Sequence, residues 1–404
     1  GDIMTRIAVY LTGSIAAYKG IEVVRGLQKM GHEVRVGMTD AATKLVTPAT
    51  PFALTKAPVL TDLWDEHSTP IPHIELADWS ELAIVVPASA DIIAKMAMGL
   101  ADDAVSTTLL ATNAPKIVIP AMNSHMWLAP ATQRNITQLK QDGVNIMPPV
   151  SGRLAEGYAG HGRLPEPAAI CQYIEDFLAS SQALKGKHVI VTAGGTRENI
   201  DPVRFIGNRS SGKMGIALAN AAVQAGAKVT LIAGQVTVPL PQSPAIEVVR
   251  GITTEDLYTS LKERFAQADI LIMAAAVADY RPVEIVDHKI KKKDGNPHLT
   301  IALTETIDIL KNIAKMKQNG QYIVGFAAET NDLLENANRK LASKNADMII
   351  ANSVAGDMGA FGSDQNQVTI LQKDQTPIKL ARQSKAKIAN EIIELISAKL
   401  KSGD

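Results

Sequence analysis

The sequence reads as an α/β protein built from two doubly wound parallel sheets. Three observations carry this reading. Short runs rich in Val and Ile alternate with helical stretches along the whole chain. Those runs are apolar nearly throughout rather than alternately polar, as strands covered on both faces must be. The pattern then restarts after a small-residue, polar stretch at 179–187, where a linker is expected. At 404 residues the chain is also too long for one ordinary core. The expected domains are 4–183 and 184–404.

In the first half the expected strands are 6–13, 32–39, 82–88, 116–122 and 145–149. Between the first two, AAYKGIEVVRGLQKMG follows a small polar residue, repeats at helical spacing and stops at Gly31. The stretch around Cys171 is an amphipathic helix with Ile170, Ile174 and Phe177 on one side. In the second half the expected strands are 188–196, 227–234, 269–280, 322–330 and 346–354, with a helix at 213–226. VTILQKDQTPIKLA is expected to close the fold as a hairpin turning at Asp374 and Gln375. No repeat of solenoid length is present.

Forty-one basic residues balance forty-one acidic ones, so no global field draws the protein to nucleic acid or an anionic membrane. Phosphate chemistry must come from local clusters. Cys171 is the one cysteine, which excludes an internal disulfide and fits a reducing, cytoplasmic setting; a buried structural thiol is the expected role. No secretory signal is visible, and Gly1–Ile3 reads as extraneous to a natural start at Met4. The most apolar run, 270–278, is far shorter than the ~20 residues that span a bilayer.

In doubly wound sheets, ligands bind beyond the carboxyl ends of the strands. Gly13 and Ser14 follow the first strand, where a tight turn and an open helix start suit an anion. Thr39 follows the second strand, Ser89 the third and Asn123 the fourth. With HIELADW (73–79), DDAVSTTLLAT (102–112), PAMNSHMW (120–127) and GHGRLPEP (160–167), these strings resemble the flavoproteins that decarboxylate cysteine residues. The likeness covers almost all of the first 165 residues. It implies a flavodoxin-like domain holding FMN, with Gly13, Ser14, Thr39, Ser89 and Ser106 around its phosphate and ring. It also implies His73 beside the substrate and Asn123 on its carboxylate. A cysteinyl carboxylate leaves as CO2 only if two electrons have somewhere to go, and oxidation of the CH2–SH group to a thioaldehyde provides that sink. An imidazole titrates near neutrality and suits the base, and an asparagine can hold a carboxylate without becoming its counter-charge. The family carries a proton-donating cysteine in a string like LACG. Here Leu154, Ala155, Glu156 and Gly157 stand in its place, so Glu156 is a candidate donor, alongside water or the thiol product.

In the second half, Gly207 through Gly212 and Lys213 nearly match an ATPase phosphate loop, but Met214 stands where a magnesium-binding Ser or Thr is required. The longer strings are AGGTRENIDPVRFIGNRSSGKMG (193–215), AAAVADYRP (274–282), KIKKKDG (289–295) and GFAAET (325–330), with lysines downstream. Together they resemble phosphopantothenate–cysteine ligases. The likeness implies that Asn208 polarises the acyl group and that Lys289 acts beside it. It further implies that Ala274, Ala275, Asp279, Lys289, Phe326, Lys340 and Lys344 bind CTP, with Mg2+ carried by the nucleotide and no direct protein ligation of metal. Lys340 and Lys344 are four apart, hence on one helix face. A carboxylate becomes a leaving group by attack on the α-phosphate, and cysteine's amine then displaces CMP.

The fusion of these halves in this order resembles bifunctional enzymes of bacterial coenzyme A biosynthesis. The implied partners are 4'-phosphopantothenate, L-cysteine and CTP, in a homo-oligomer whose trimeric first-half and dimeric second-half contacts build a dodecamer. Two rivals stand beside this reading: another flavin decarboxylase or prenyltransferase in the first half, and a flavin-binding regulatory protein. PAMNSHMW and GHGRLPEP argue against the former, and an intact activation site in the second half argues against the latter.

Overall fold

The computed structural model describes residues 4–65, 69–154, 157, 159–292, 297–329, 333–353 and 363–402. The chain divides into two compact units, Gly1–Phe177 and Leu178–Asp404.

The first unit runs β1 (Arg6–Leu11), α1 (Ala17–Lys29), β2 (Glu33–Met38), α2 (Asp40–Thr43), α3 (Ala49–Thr55), α4 (Pro72–Trp79), β3 (Leu82–Ala88), α5 (Ala90–Met98) and α6 (Ala104–Ala111). It continues through β4 (Lys116–Pro120), α7 (Ser124–Leu128), α8 (Pro130–Gln141), β5 (Asn145–Ile146), β6 (Val150–Arg153), β7 (Ala159–Arg163) and α9 (Pro167–Ser181). Its main sheet has the order β2-β1-β3-β4-β5 and is parallel throughout. Side chains alternate across the pleat, and Ala8, Tyr10, Ala83, Val85 and Val118 enter one core with Ile92 and Ile93 of α5 and Val105 of α6. Each fully buried Leu or Ile contributes roughly 1.5–3 kcal/mol over exposure. The reversal of strand order between β1 and β3 is the switch point where a crevice opens.

The second unit holds β8 (His188–Ala193), β9 (Glu198–Asn199), β10 (Phe205–Ile206), α10 (Lys213–Gln224), β11 (Lys228–Ala233), β12 (Ile246–Arg250), α11 (Thr254–Arg264), β13 (Ile270–Met273), β14 (Tyr280–Pro282) and β15 (Leu303–Glu305). Then come α12 (Ile309–Ala314), β16 (Tyr322–Glu329), α13 (Leu333–Ser343), β17 (Met348–Ser353), β18 (Gln365–Asn366), β19 (Val368–Gln372), β20 (Ile378–Lys379), β21 (Gln383–Ser384) and α14 (Lys385–Ser402). Eight strands order as β12-β11-β8-β13-β16-β17-β19-β20. Val189 and Val191 face α10 and α14, whereas Ile190 between them faces α11 and α12, which is why this strand reads as continuously apolar.

The doubly wound architecture is as expected. Two details differ. The stretch 179–187 is not a loose linker: α9 runs to Ser181, and Leu184 is buried in the second core with its amide on the Ala225 carbonyl at 2.8 Å. Its small residues disguised a helix end and a packing contact. The closing hairpin does turn at Asp374, at φ 57°, but it extends the sheet, β19 pairing antiparallel with β17. Cys171 is buried, with Sγ donating to the Val23 carbonyl at 3.8 Å; burial, then Glu175, pushes its thiol up. A Cβ on Gly26 would lie 2.6 Å from that sulfur, so α1 approaches α9 there through a glycine. Among the described residues no helix is long and apolar enough to cross a membrane.

Candidate functional site

In the first unit a cavity of about 530 Å³ opens at the carboxyl ends of β1, β3 and β4. Gly13 and Ser14 line it, and α1 begins just beyond with no side chain capping its amides. The Ala17 and Lys19 amides are given to the Ser14 and Ala16 carbonyls, each at 2.9 Å, and the positive end of the helix still favours an anion there. A Cβ on Gly13 would meet Ala41 of α2 at 2.6 Å, so only glycine lets the loop sit this close. Thr12 ties the neighbouring strand ends together: its hydroxyl donates to the Pro87 carbonyl at 2.6 Å and accepts from the Ser89 amide at 2.9 Å. Ser89 caps α5 and lines the cavity.

The opposite wall is formed by Asn123 and Met126 and by Arg153, Leu154, Gly162 and Arg163 of the β6–β7 hairpin. Met122 donates its amide to the Gly162 carbonyl at 3.0 Å, and a Cβ on Gly162 would fall 2.1 Å from the Met122 carbonyl oxygen. The hairpin is thereby clamped against the β4–α7 turn. Asn123 caps α7 by accepting from the His125 amide at 2.8 Å, which leaves its amide nitrogen as the donating end. An uncapped helix start beside small residues at one end, and an apolar wall of Ile15, Met122, Met126 and Leu164, fit a phosphate-bearing planar cofactor such as a flavin.

Three of the residues singled out in the sequence do not line this cavity. Thr39 is buried as the N-cap of α2, and Ser106 is buried in a capping box with Asp103. His73 lies on α4 with Nδ1 buried and without a hydrogen-bond partner. Glu156 lies outside the described residues.

In the second unit two cavities of about 610 Å³ each adjoin at Ala275, Val277, Asp279, Phe326 and Lys340, which line both. One continues past Thr306 and Asp308 to Lys344. Lys344 donates to Asp308 Oδ2 at 2.8 Å, and Asp308 also caps α12 through the Lys311 amide at 3.1 Å. Burial resists ionisation of that carboxyl, but Lys344 and the amide outweigh it and hold Asp308 below its ordinary range. The other cavity is walled by Gly207–Gly215, Ala274, Asn352, Asn366 and Lys385. There Asn208 Nδ2 donates to the Val277 carbonyl at 2.9 Å.

Lys289 lines neither cavity. Its segment is pinned from beneath by Asp201, which is buried, accepts the Ile290 amide at 3.2 Å and pairs with Arg204. The Arg204 guanidinium holds that carboxyl far below the usual range against its burial. Sequence reasoning passed over Thr306, Asp308, Asn366 and Lys385. Asp308 before a short apolar run was a legible cap signal; nothing local marks Lys385.

Comparison with known proteins bears on both units. Residues 2–179 match the flavoprotein family, and residues 184–400 match the DNA/pantothenate metabolism flavoprotein C-terminal domain. The coenzyme A biosynthesis bifunctional protein of Bacillus subtilis is 45% identical over 395 residues, covering 97% of this chain and 96% of that protein. Its Mycobacterium bovis counterpart is 42% identical over 407 residues, covering 98% and 96%. A crystal structure of the C-terminal domain of such a bifunctional protein, 39% identical, covers 55% of this chain and all of that one, with a TM-score of 0.46. The chain thus belongs to the family of bifunctional coenzyme A biosynthesis proteins, as an enzyme with a flavoprotein decarboxylase domain followed by a ligase domain.

Proposed function

We propose that the enzyme converts 4'-phosphopantothenate to 4'-phosphopantetheine, by CTP-dependent ligation of L-cysteine in the second domain and decarboxylation of the product in the first. The observation that carries the ligase half is the pair of adjoining cavities: two reactants can lie end to end and meet beside Asn208. The nucleotide lies on the side of Asp279, Phe326, Lys340 and Lys344, with Mg2+ on its phosphates. The acid lies on the side of Asn208. An amide nitrogen carries two protons, and Val277 takes one. The other can polarise the acyl oxygen while that carboxylate attacks the α-phosphate and again while cysteine's amine displaces CMP. Lysines serve this site as mobile point charges for phosphates.

In the first domain, bound FMN supplies a reversible two-electron store, so the cysteinyl carboxylate can leave without net redox change. Ser14 and the open end of α1 hold the phosphate; Asn123 presents Nδ2 to the substrate carboxylate. His73 is the proposed base and Glu156 the proposed donor of the last proton. The assembled protein is proposed to be a homo-oligomer, a dodecamer of trimeric and dimeric contacts, which the mass in solution tests.

The direct test is incubation with 4'-phosphopantothenate, cysteine, CTP and Mg2+. CMP, pyrophosphate and CO2 are expected in equal amounts. CMP without CO2 removes the decarboxylase reading, and no CMP removes the ligase reading.

A further inference from the structure

Segments 194–197, 207–208 and 275–278 of the ligase domain meet beyond the carboxyl ends of β8 and β13. Thr196 donates its amide to the Ala276 carbonyl at 3.1 Å, and Ala276 donates its own to the Gly194 carbonyl at 2.8 Å. Gly207 packs against the same strand end: a Cβ there would lie 2.5 Å from the Thr196 carbonyl oxygen. The Thr196 side chain is buried, the residue being 1% exposed, and its hydroxyl oxygen accepts the Ala278 amide at 2.8 Å. The same oxygen accepts from the Thr254 hydroxyl at 3.4 Å, and the Thr254 amide goes to Glu198 at 2.7 Å. Thr196 is thereby tied to the start of α11 as well as to the seam of the two cavities.

The Ala278 amide and the Val277 carbonyl belong to one peptide unit, which is planar and cannot turn at one end alone. Thr196 holds its N–H, and Asn208 Nδ2 donates to its oxygen at 2.9 Å. Asn208 is exposed, and among the described residues this carbonyl is the one hydrogen-bond partner of its side chain. An exposed side chain on a single tether takes its direction from the group at the far end. A peptide bonded on both sides also polarises more strongly, which firms the tether. We propose that Thr196 is the positioning residue for Asn208, acting through the Val277–Ala278 peptide to aim Nδ2 at the acyl oxygen. This rests on the ligase reading above and adds to it the group that orients the polarising donor. Thr196 lines neither cavity, so its effect passes through its neighbours. The rest of the loop has supports of its own: Thr192 accepts the Ala275 amide at 3.1 Å, and Thr306 donates its amide to the Asp279 carbonyl at 2.9 Å. Losing the Thr196 bond turns the middle peptide and leaves the nucleotide-facing ends in place.

The test is a double-mutant cycle in the full-length enzyme, with initial rates of CMP formation at varied 4'-phosphopantothenate and varied CTP. Thr196→Val keeps the shape of the side chain and removes the acceptor. It should lower kcat roughly 10-fold, the cost of a misaimed group, while KM for CTP holds. Thr196→Ser keeps the hydroxyl and should restore most of the rate. In an Asn208→Ala background, Thr196→Val should cost less than about twofold further, because the group it aims is gone. An equal loss in both backgrounds means that Thr196 acts independently and overturns the proposal, as does a rise in KM for CTP with kcat unchanged. If Thr196→Val does not fold, Thr196→Cys carries the same cycle with a weak acceptor in place of the hydroxyl. A loss there that Asn208→Ala leaves undiminished overturns the proposal too. Asn208→Ala at the full wild-type rate removes the acyl role and this inference with it. A wild-type enzyme that forms no CMP defeats the ligase reading itself, a separate outcome.

Discussion

Asn208 reaches across 69 positions of sequence to donate its side-chain amide to the carbonyl of Val277 at 2.9 Å, joining two loops at the seam of the ligase cavities. The bond fixes Nδ2 where the acid and the nucleotide are proposed to meet. Asn208→Ala is expected to lower the rate of CMP formation by roughly 100-fold or more, the usual cost of one polarising donor. KM for CTP should change little. A variant that ligates normally would remove Asn208 from the acyl site.

The pair of Lys344 and Asp308 should make the stability of the second unit sensitive to acid. Asp308 titrates lower in the fold than in the unfolded chain. Its contribution is therefore present above about pH 4 and lost as pH falls through the folded value. Lys344→Met removes the partner and lets that value rise toward the unfolded one, so the stability lost as pH falls should shrink. KM for CTP should rise about tenfold at neutral pH. Acid unfolding of both proteins, with initial rates at varied CTP, checks this.

Asp201 holds the segment that carries Lys289, through the amide of the neighbouring Ile290. Asp201→Asn keeps the shape but weakens the pairing with Arg204, and the Ile290 contact loosens. Ligation should slow, and the acid unfolding of the second unit should lose part of its dependence on pH below about 4, because the depressed carboxyl is gone. Lys289→Gln should slow ligation while carbon dioxide is still released from supplied phosphopantothenoylcysteine, and His73→Asn should show the reverse. Loss of both activities in either folded variant contradicts a division of labour between the units.

The purified protein should be yellow and release FMN rather than FAD on denaturation. Gly13→Ala places a Cβ 2.6 Å from the Ala41 Cβ. It should push α2 from the loop and reduce retained flavin severalfold, read as the ratio of flavin to protein absorbance. Full retention would show that the loop does not shape the site.

Glu156→Gln should leave carbon dioxide release intact while an oxidised enethiol species accumulates, seen by mass spectrometry of the products. Unchanged turnover to phosphopantetheine in that variant makes Glu156 a bystander and points to another donor.

The sequence by itself determined the two sheets and the strand ends that face each cavity. Period and apolarity are local properties: 188–193 had to be a central strand because both faces of it are apolar. Gly13, Ser14, Ser89 and Asn123 were legible for the same reason, since each directly follows an apolar run at a sheet's carboxyl edge. Tertiary structure decided what required distant segments to meet. Thr39 and Ser106 also serve as helix caps, a use of their hydroxyls that spacing alone cannot distinguish from binding. Lys340 and Lys344 line one cavity with Asp308, and the Lys344–Asp308 bond is visible only once α12 and α13 pack on one face of the sheet. Lys385 sits 172 residues after Lys213 in a run with no motif of its own. Only the antiparallel pairing of β18 with β21 carries the start of α14 back to the start of α10 and sets a second ammonium beside the first.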